Sequence, residues 1–448
     1  MQILHGNNLD LLKTLPDNSV DSVVTDPPYG LSFMNKKWDY DVPSVELWKE
    51  VYRVLKHGGH VLSFGGTRTY HRMVVNMEDA GFEIRDQIMW LYGSGFPKSF
   101  NIGKAVDKIQ GNDRKVVGEK KRGDVQKAKE KGVGYLADVA NRNNDKQFGY
   151  GTEIITKGSS EWEGWGTALK PANEPICLAR KPLSEKSVSE NVLKWGTGGI
   201  NIDGCRVEFA NYEDKKESTA KNQHEDFGTK PMTNNNVYGD YSMIEPKNYD
   251  PTGRFPANVI LDEEAGKLLD EQSGISKTGD IKPYEQKNTD SYSGSMPKLR
   301  NANFTGDKGG ASRFFYCAKA SKSDRNDGCE KLEGKYVAQG NQAQAELKRG
   351  NVDFENGNKH NKVELKQNFH PTVKPTELMR YLCRLITPPN GIVLDPFMGS
   401  GSTGKGAILE GFDFIGMELD PEYVEIAKAR IEYAQKEYKQ NQSQQKLF

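Results

Sequence analysis

Two carboxylates set in unusual turns dominate the chemistry of this chain. They are Asp26 in Thr25-Asp26-Pro27-Pro28-Tyr29-Gly30 and Asp395 in Leu394-Asp395-Pro396-Phe397-Met398-Gly399-Ser400-Gly401-Ser402-Thr403-Gly404. The first turn follows Asp21-Ser22-Val23-Val24, which reads as a buried strand. Consecutive prolines lack N–H donors and have fixed φ, so neither a ladder nor a helix continues through them. The chain therefore leaves the sheet at Asp26, at the carboxyl end of a strand, where open α/β sheets bind ligands. A carboxylate, free backbone carbonyls and an aromatic ring suit a planar base with an exocyclic amine: acceptors for its N–H groups and a face to stack on. Asp26, Pro27, Pro28 and Tyr29 are the candidate catalytic residues. Alone, the same four residues could merely end a strand, so the decision falls to the other end of the chain.

There Ile392-Val393-Leu394-Asp395 reads as a strand, and Pro396 to Gly404 as a loop entering a helix. Its glycines permit positive φ and close approach of a ligand to a helix N-terminus. Gly399 to Lys405 matches most of a phosphate-binding loop, but Gly406 stands where Mg²⁺ coordination needs Ser or Thr. Phe412-Asp413-Phe414-Ile415-Gly416-Met417-Glu418 then ends in an acid 23 positions after Asp395. That spacing suits a carboxylate accepting the ribose hydroxyls of an adenosine-containing cofactor. Capping the helix opened by Pro421 is the competing role for Glu418.

Taken as an ordered set, these segments resemble the β-group amino DNA methyltransferases, which transfer a methyl group from S-adenosylmethionine to N6 of adenine or N4 of cytosine. His370-Pro371-Thr372-Val373-Lys374-Pro375 and Ile415-Gly416-Met417-Glu418-Leu419-Asp420-Pro421-Glu422-Tyr423 are similar to further segments of that family. The catalytic turn first and the cofactor loop last is its permuted order. The resemblance implies that Asp395, Pro396, Phe397, Gly399, Ser400 and Gly401 surround the methionine part of S-adenosylmethionine and that Glu418 holds the ribose. It also implies that Asn7, after Gly6, lies near the adenine; the family commonly has Asp there, and Asn keeps the acceptor without the charge. The implied activity is methylation of N6 of a flipped adenine in double-stranded DNA, in a restriction-modification setting. N4-cytosine methylation is the runner-up, as its enzymes more often carry Ser in place of Asp26. RNA or protein glutamine is a further alternative substrate, and a catalytically silent DNA-binding protein is the contrasting reading.

The elements that must position these residues follow from pattern. At 448 residues two or more units are expected. A mean hydropathy of −0.75 requires long polar segments beside a packed core. Lys+Arg and Asp+Glu are both 62, which argues against a protein that coats nucleic acid but allows a local basic surface. There is no apolar run of transmembrane length and no signal-peptide pattern at the N-terminus, so a cytoplasmic protein of a bacterial or phage-infected cell is expected. Five scattered cysteines make no disulfide framework, and Cys317 and Cys329 with His360 or His370 lack a paired metal-binding spacing. No metal site is expected.

The expected fold is α/β: a Rossmann-like methyltransferase sheet with helices on both faces, permuted motif order and an inserted target-recognition region. Residues 1–100 form the catalytic half. A helix from Ser44 carries Leu47, Val51, Val54 and Leu55 on one face and stops at Gly58-Gly59, before a strand over 60–64. Residues 101–160 hold 13 Lys/Arg against 8 Asp/Glu with little apolar periodicity, so a mobile basic insertion is expected. Residues 161–182 return to the sheet. Residues 183–367 are the target-recognition region, with only two strand-like islands, 257–261 and 313–317. Residues 368–448 form the cofactor half, in which Thr376 should cap a helix and residues 440–445 should fray.

Overall fold

Val23 and Val24 are both buried, yet they pack into different cores on opposite faces of one sheet. The alternation repeats at Val61 and Leu62, at Val393 and Leu394, and at Phe414 and Ile415. Strands covered on both faces read as continuous apolar runs for this reason. In the computed structural model the residues described are 1–31, 39–95, 99–122, 151–220, 251–277, 284–285, 299–300, 308–319, 323–338 and 363–445.

The elements used below are β1 (Gln2–His5), α1 (Asn8–Leu12), β2 (Val20–Thr25), α2 (Val45–Val54), β3 (Leu55–Phe64), α3 (Tyr70–Asp79) and β4 (Glu83–Leu91). Then come α4 (Ile102–Gln110), β5 (Lys115–Arg122), β6 (Gly151–Lys157), β7 (Asn173–Arg180), α5 (Val188–Trp195), β8 (Val259–Asp262), α6 (Glu263–Ser273) and β9 (Tyr316–Ala318). The chain closes with α7 (Thr376–Ile386), β10 (Ile392–Asp395), α8 (Ser402–Leu409), β11 (Asp413–Glu418) and α9 (Pro421–Gln445).

Nine strands form one sheet in the order β1-β11-β10-β2-β3-β7-β4-β8-β9. Every neighbouring pair is parallel except the two made by β7, which runs against β3 and β4. Helices α1, α2 and α3 cover one face through Leu12, Trp48, Val51, Met73 and Met77. Helices α7, α8 and α9 cover the other through Leu378, Leu382, Ala407 and Ile431. The chain divides into two units: Met1–Ser94 with Ala172–Gly334 and Gln367–Phe448, and Gly95–Pro171 with Lys335–Lys366.

Several expectations need correction. Helix α2 ends at Val54, not at Gly58, because Leu55 is already extended and pairs with Val20. Pairing resumes between Ser22 and His60, so the residues between bulge out around Gly58, whose φ is +79°. Both strand-like islands join the main sheet: β8 pairs with β4, and β9 with β8. Helices α5 and α6 lie in a stretch where only strands were expected. Thr376 is the first helical residue of α7 rather than its cap; its N–H is taken instead by the Asp324 carboxylate at 3.2 Å. Helix α9 continues through residues 440–445. The second unit holds α4, capped by Asn101 and closed by the left-handed Gly111, and the antiparallel ribbon β5–β6. It is therefore not bare insertion. Arg114 ties it together by bonding Asp107 and, at 2.8 Å, Glu163.

Candidate active site

Strands β1, β11, β10, β2 and β3 run in one direction, so the loops at their carboxyl ends gather along one edge. Because β7 is antiparallel, its first residues, Asn173 and Glu174, reach that same edge. The Asp26 turn follows β2, the Asp395 loop follows β10, Glu418 ends β11 and Asn7 follows β1.

Buried Asp39 holds the Asp26 turn. One carboxylate oxygen accepts the N–H groups of Tyr29 at 2.7 Å and Gly30 at 3.0 Å, and the other accepts that of Leu31 at 3.2 Å. Pro27 is buried and Pro28 faces a cavity. The Tyr29 hydroxyl donates to Asp26 Oδ1 at 2.8 Å and lies 3.1 Å from Glu174 Oε2. Lys374 Nζ sits 2.8 Å from Asp26 Oδ2, 3.0 Å from Glu174 Oε2 and 3.2 Å from the Tyr29 oxygen. It also lies 4.7 Å from the Phe64 ring centre. Burial alone would push the Lys374 ammonium down, but the charges of Asp26 and Glu174 hold it above the ordinary lysine range. Burial, and then those same charges, raises the Tyr29 phenol well above its usual value.

The cofactor loop is braced from below. Asp395 is buried and accepts from the Thr25 hydroxyl at 2.6 Å and from the Phe397 N–H at 3.0 Å, which pins β10 to β2. Burial pushes its carboxyl up to about 6 against those hydrogen bonds. Pro396 is buried, and its carbonyl accepts from the Asn8 amide at 3.0 Å. Ser400 turns inward, where the fully buried Arg430 donates to its carbonyl at 2.5 Å and its hydroxyl at 3.0 Å. Gly399 and Gly401 have φ of +53° and +79°, which favour glycine. A Cβ on Gly399 would stand 2.9 Å from His370 Nε2. Glu418 bridges the loop to α9 by accepting the N–H groups of Gly399 and Asp420, each at 2.8 Å. Asn7 caps α1, accepting from Leu9 N–H at 2.9 Å.

Asn7, Asn8, Pro28, Asp41, Leu47 and Phe397 line a cavity of about 280 Å³. Asn7, Pro28 and Phe397, chosen from three distant segments of sequence, thus share one hollow. Gly399 and Glu418 share a direct bond, and Asp26 and Tyr29 share another. Asp39, Glu174, Lys374 and Arg430 were not singled out from sequence. Lys374 stood inside a recognised segment, so its signal was present; the other three gave none without the topology. Among the described residues no cluster of His, Cys, Asp and Glu could hold a metal ion, and His360 lies outside those residues.

A family model described as DNA methylase matches residues 20–429. The chain belongs to this family, that of the N6/N4 amino methylases. Over 65 residues it is 43% identical to the DNA adenine methyltransferase YhdJ of Escherichia coli K12, covering 14% of this chain and 22% of that protein. Over 80 residues it is 40% identical to the type II methyltransferase M2.DpnII of Streptococcus pneumoniae, covering 18% of this chain and 30% of that one. The matched stretches thus span under a third of either relative's length. Among solved structures, the PvuII cytosine-N4-specific DNA methyltransferase is 13% identical, with a TM-score of 0.38, covering 98% of this chain and 90% of that one. A Thermus thermophilus DNA modification methylase, TTHA0409, complexed with S-adenosyl-L-methionine, is 14% identical, with a TM-score of 0.34, covering 97% and 96%.

The family's cofactor is S-adenosylmethionine, and the residues present fit it. A hollow at the strand ends, two left-handed glycines and a carboxylate at the end of the second strand are the parts that an adenosine-containing ligand requires. No helix among the described residues is long and apolar enough to cross a membrane.

Proposed function

We propose that this chain transfers a methyl group from S-adenosylmethionine to N6 of an adenine flipped out of double-stranded DNA. The observation that carries the reading is the Asp26 carboxylate, fixed at the end of β2 two residues before Pro28, which lines the cofactor hollow. Asn7, Phe397, the Gly399–Gly401 loop and Glu418 would hold the cofactor. When bound, S-adenosylmethionine supplies an electrophilic methyl on a sulfonium.

The chain's own residues position the acceptor. Flipping costs a few kcal/mol of stacking and pairing, which the Tyr29 ring offsets by stacking on the base. Asp26 and the Pro27 carbonyl accept the N–H bonds of the amine and so turn its lone pair outward. Catalysis of this kind is positioning and charge placement. Lys374 and Asp39 keep the turn rigid so that this geometry is set before the base arrives.

Adenine is favoured over cytosine by the carboxylate at position 26, a stronger acceptor than a hydroxyl, and by the likeness to an adenine methyltransferase over 65 residues. The likeness to a type II methyltransferase suits a restriction-modification setting. The target-recognition role is proposed for the polar middle of the chain, as loops on rigid scaffolds carry recognition. The test is to methylate DNA with the purified protein, digest to nucleosides and separate them by mass spectrometry. N6-methyladenine is expected, N4-methylcytosine overturns the choice of base, and methylation of RNA or protein alone overturns the choice of DNA.

A further inference from the structure

Tyr29 has one phenolic proton and two carboxylates within reach: Asp26 Oδ1 at 2.8 Å and Glu174 Oε2 at 3.1 Å. A hydroxyl donates one hydrogen bond at a time. Lys374 closes the ring of contacts, with Asp26 on one side, Glu174 on the other and the phenolic oxygen between them. In the protein without DNA, the phenol therefore occupies an oxygen of the very carboxylate that the target amine needs.

The raised phenol cannot resolve this competition by shedding its proton. It can resolve it by changing acceptor. Glu174 stands within hydrogen-bonding distance already, so the hydroxyl can turn without moving the ring. Nothing local in the sequence sends Glu174 there: it is the second residue of the antiparallel strand β7, opposite Trp90 of β4.

We propose that Glu174 is a positioning residue for base capture, the acceptor to which the Tyr29 hydroxyl transfers its hydrogen bond when the target amine takes Asp26. The inference rests on the reading of the Asp26 turn as the methyl-transfer site. In this arrangement Lys374 serves both states, holding Asp26 Oδ2 and Glu174 Oε2 while the phenol swings between them. Entry of a base is thereby tied to one hydrogen-bond exchange, and a ligand unable to displace the phenol from Asp26 leaves the site closed.

The experiment is a double-mutant cycle in single-turnover methyl transfer, with Glu174→Ala, Tyr29→Phe and the pair. Glu174→Ala leaves the phenol no acceptor but Asp26, and is expected to slow transfer by about 10- to 100-fold, the worth of one hydrogen bond to a charged group. Its affinity for S-adenosylmethionine should stay within about twofold, as coupling fades between distant groups. Phenylalanine at position 29 has no hydroxyl to place, so in that background the loss from Glu174→Ala should shrink to about threefold or less. Glu174→Gln, which keeps an acceptor oxygen, should recover most of the loss.

Equal losses from Glu174→Ala with and without the Tyr29 hydroxyl would overturn the proposal, as would a Glu174→Ala protein as fast as the unaltered one. If the alanine variant does not fold, Glu174→Leu fills the space without an acceptor and carries the same expectations. No transfer by the unaltered protein to any DNA refutes the reading of the site itself, a different result from transfer that ignores Glu174.

Discussion

Glu418 offers the sharpest separation of cofactor binding from simple helix capping. Its two oxygens accept two backbone N–H groups, Gly399 in the loop and Asp420 at the start of α9, each at 2.8 Å. Burial raises its carboxyl above the ordinary value, while those N–H bonds work in the opposite direction. Replacing it by alanine removes the acceptor for the Gly399 N–H and, on the present account, the acceptor for the ribose hydroxyls. A hydrogen bond to a charged group is worth about 1.5–3 kcal/mol, so the dissociation constant for S-adenosylmethionine should rise by roughly 10- to 150-fold. Isothermal titration with both the cofactor and its demethylated product, S-adenosylhomocysteine, checks this. The two should weaken together, since the ribose is common to both. A folded Glu418→Ala protein that binds either ligand as tightly as before would refute the reasoning and leave Glu418 as a cap.

The remaining predictions concern the scaffold and the substrate. A Cβ on Gly404 would lie 2.6 Å from Phe414 Cε1 and closer still to Ile431; Gly404→Ala should cost about 1–3 kcal/mol of stability by overpacking, read from denaturant midpoints. Arg430→Met leaves the Ser400 carbonyl and hydroxyl without their donor and should cost about 2–4 kcal/mol, with weaker cofactor binding as the loop loosens. Asp395 titrates at about 6, above its unfolded value, so its protonated form stabilises the fold and that contribution is lost as pH rises through about 6. Asp395→Asn, which cannot titrate, should therefore lose about 2–3 kcal/mol less stability than the unaltered protein between pH 4 and pH 7, by urea titration. Deleting 101–160 should lower DNA affinity and flatten its dependence on salt, with cofactor binding retained.

Much of the site was legible because its residues sit where local pattern is strong. The β-branched run before Asp26 and the apolar run before Asp395 each announce a buried strand, and proline or glycine marks where each leaves the sheet. Glu174 was legible only as the start of a strand. Its role depends on β7 running antiparallel, which lands its first residues beside the carboxyl ends of its neighbours, and local sequence does not carry strand direction. Likewise Asp39 and Arg430 act through backbone groups far from any motif. Strands β8 and β9 are four and three residues long; their inclusion follows from pairing with β4 across a long polar stretch. Thr376 had the right chemistry for a cap, and lost the position to Asp324, a competitor distant in sequence.

The central claim is that the turn at Asp26 is where the methyl group is accepted. Single-turnover transfer of a labelled methyl to DNA by Asp26→Ala, measured beside its affinity for S-adenosylmethionine and for DNA, tests it most directly. The account predicts loss of transfer with both affinities retained, because the carboxylate acts mainly in the transition state. Transfer at the unaltered rate by a folded Asp26→Ala protein would contradict it.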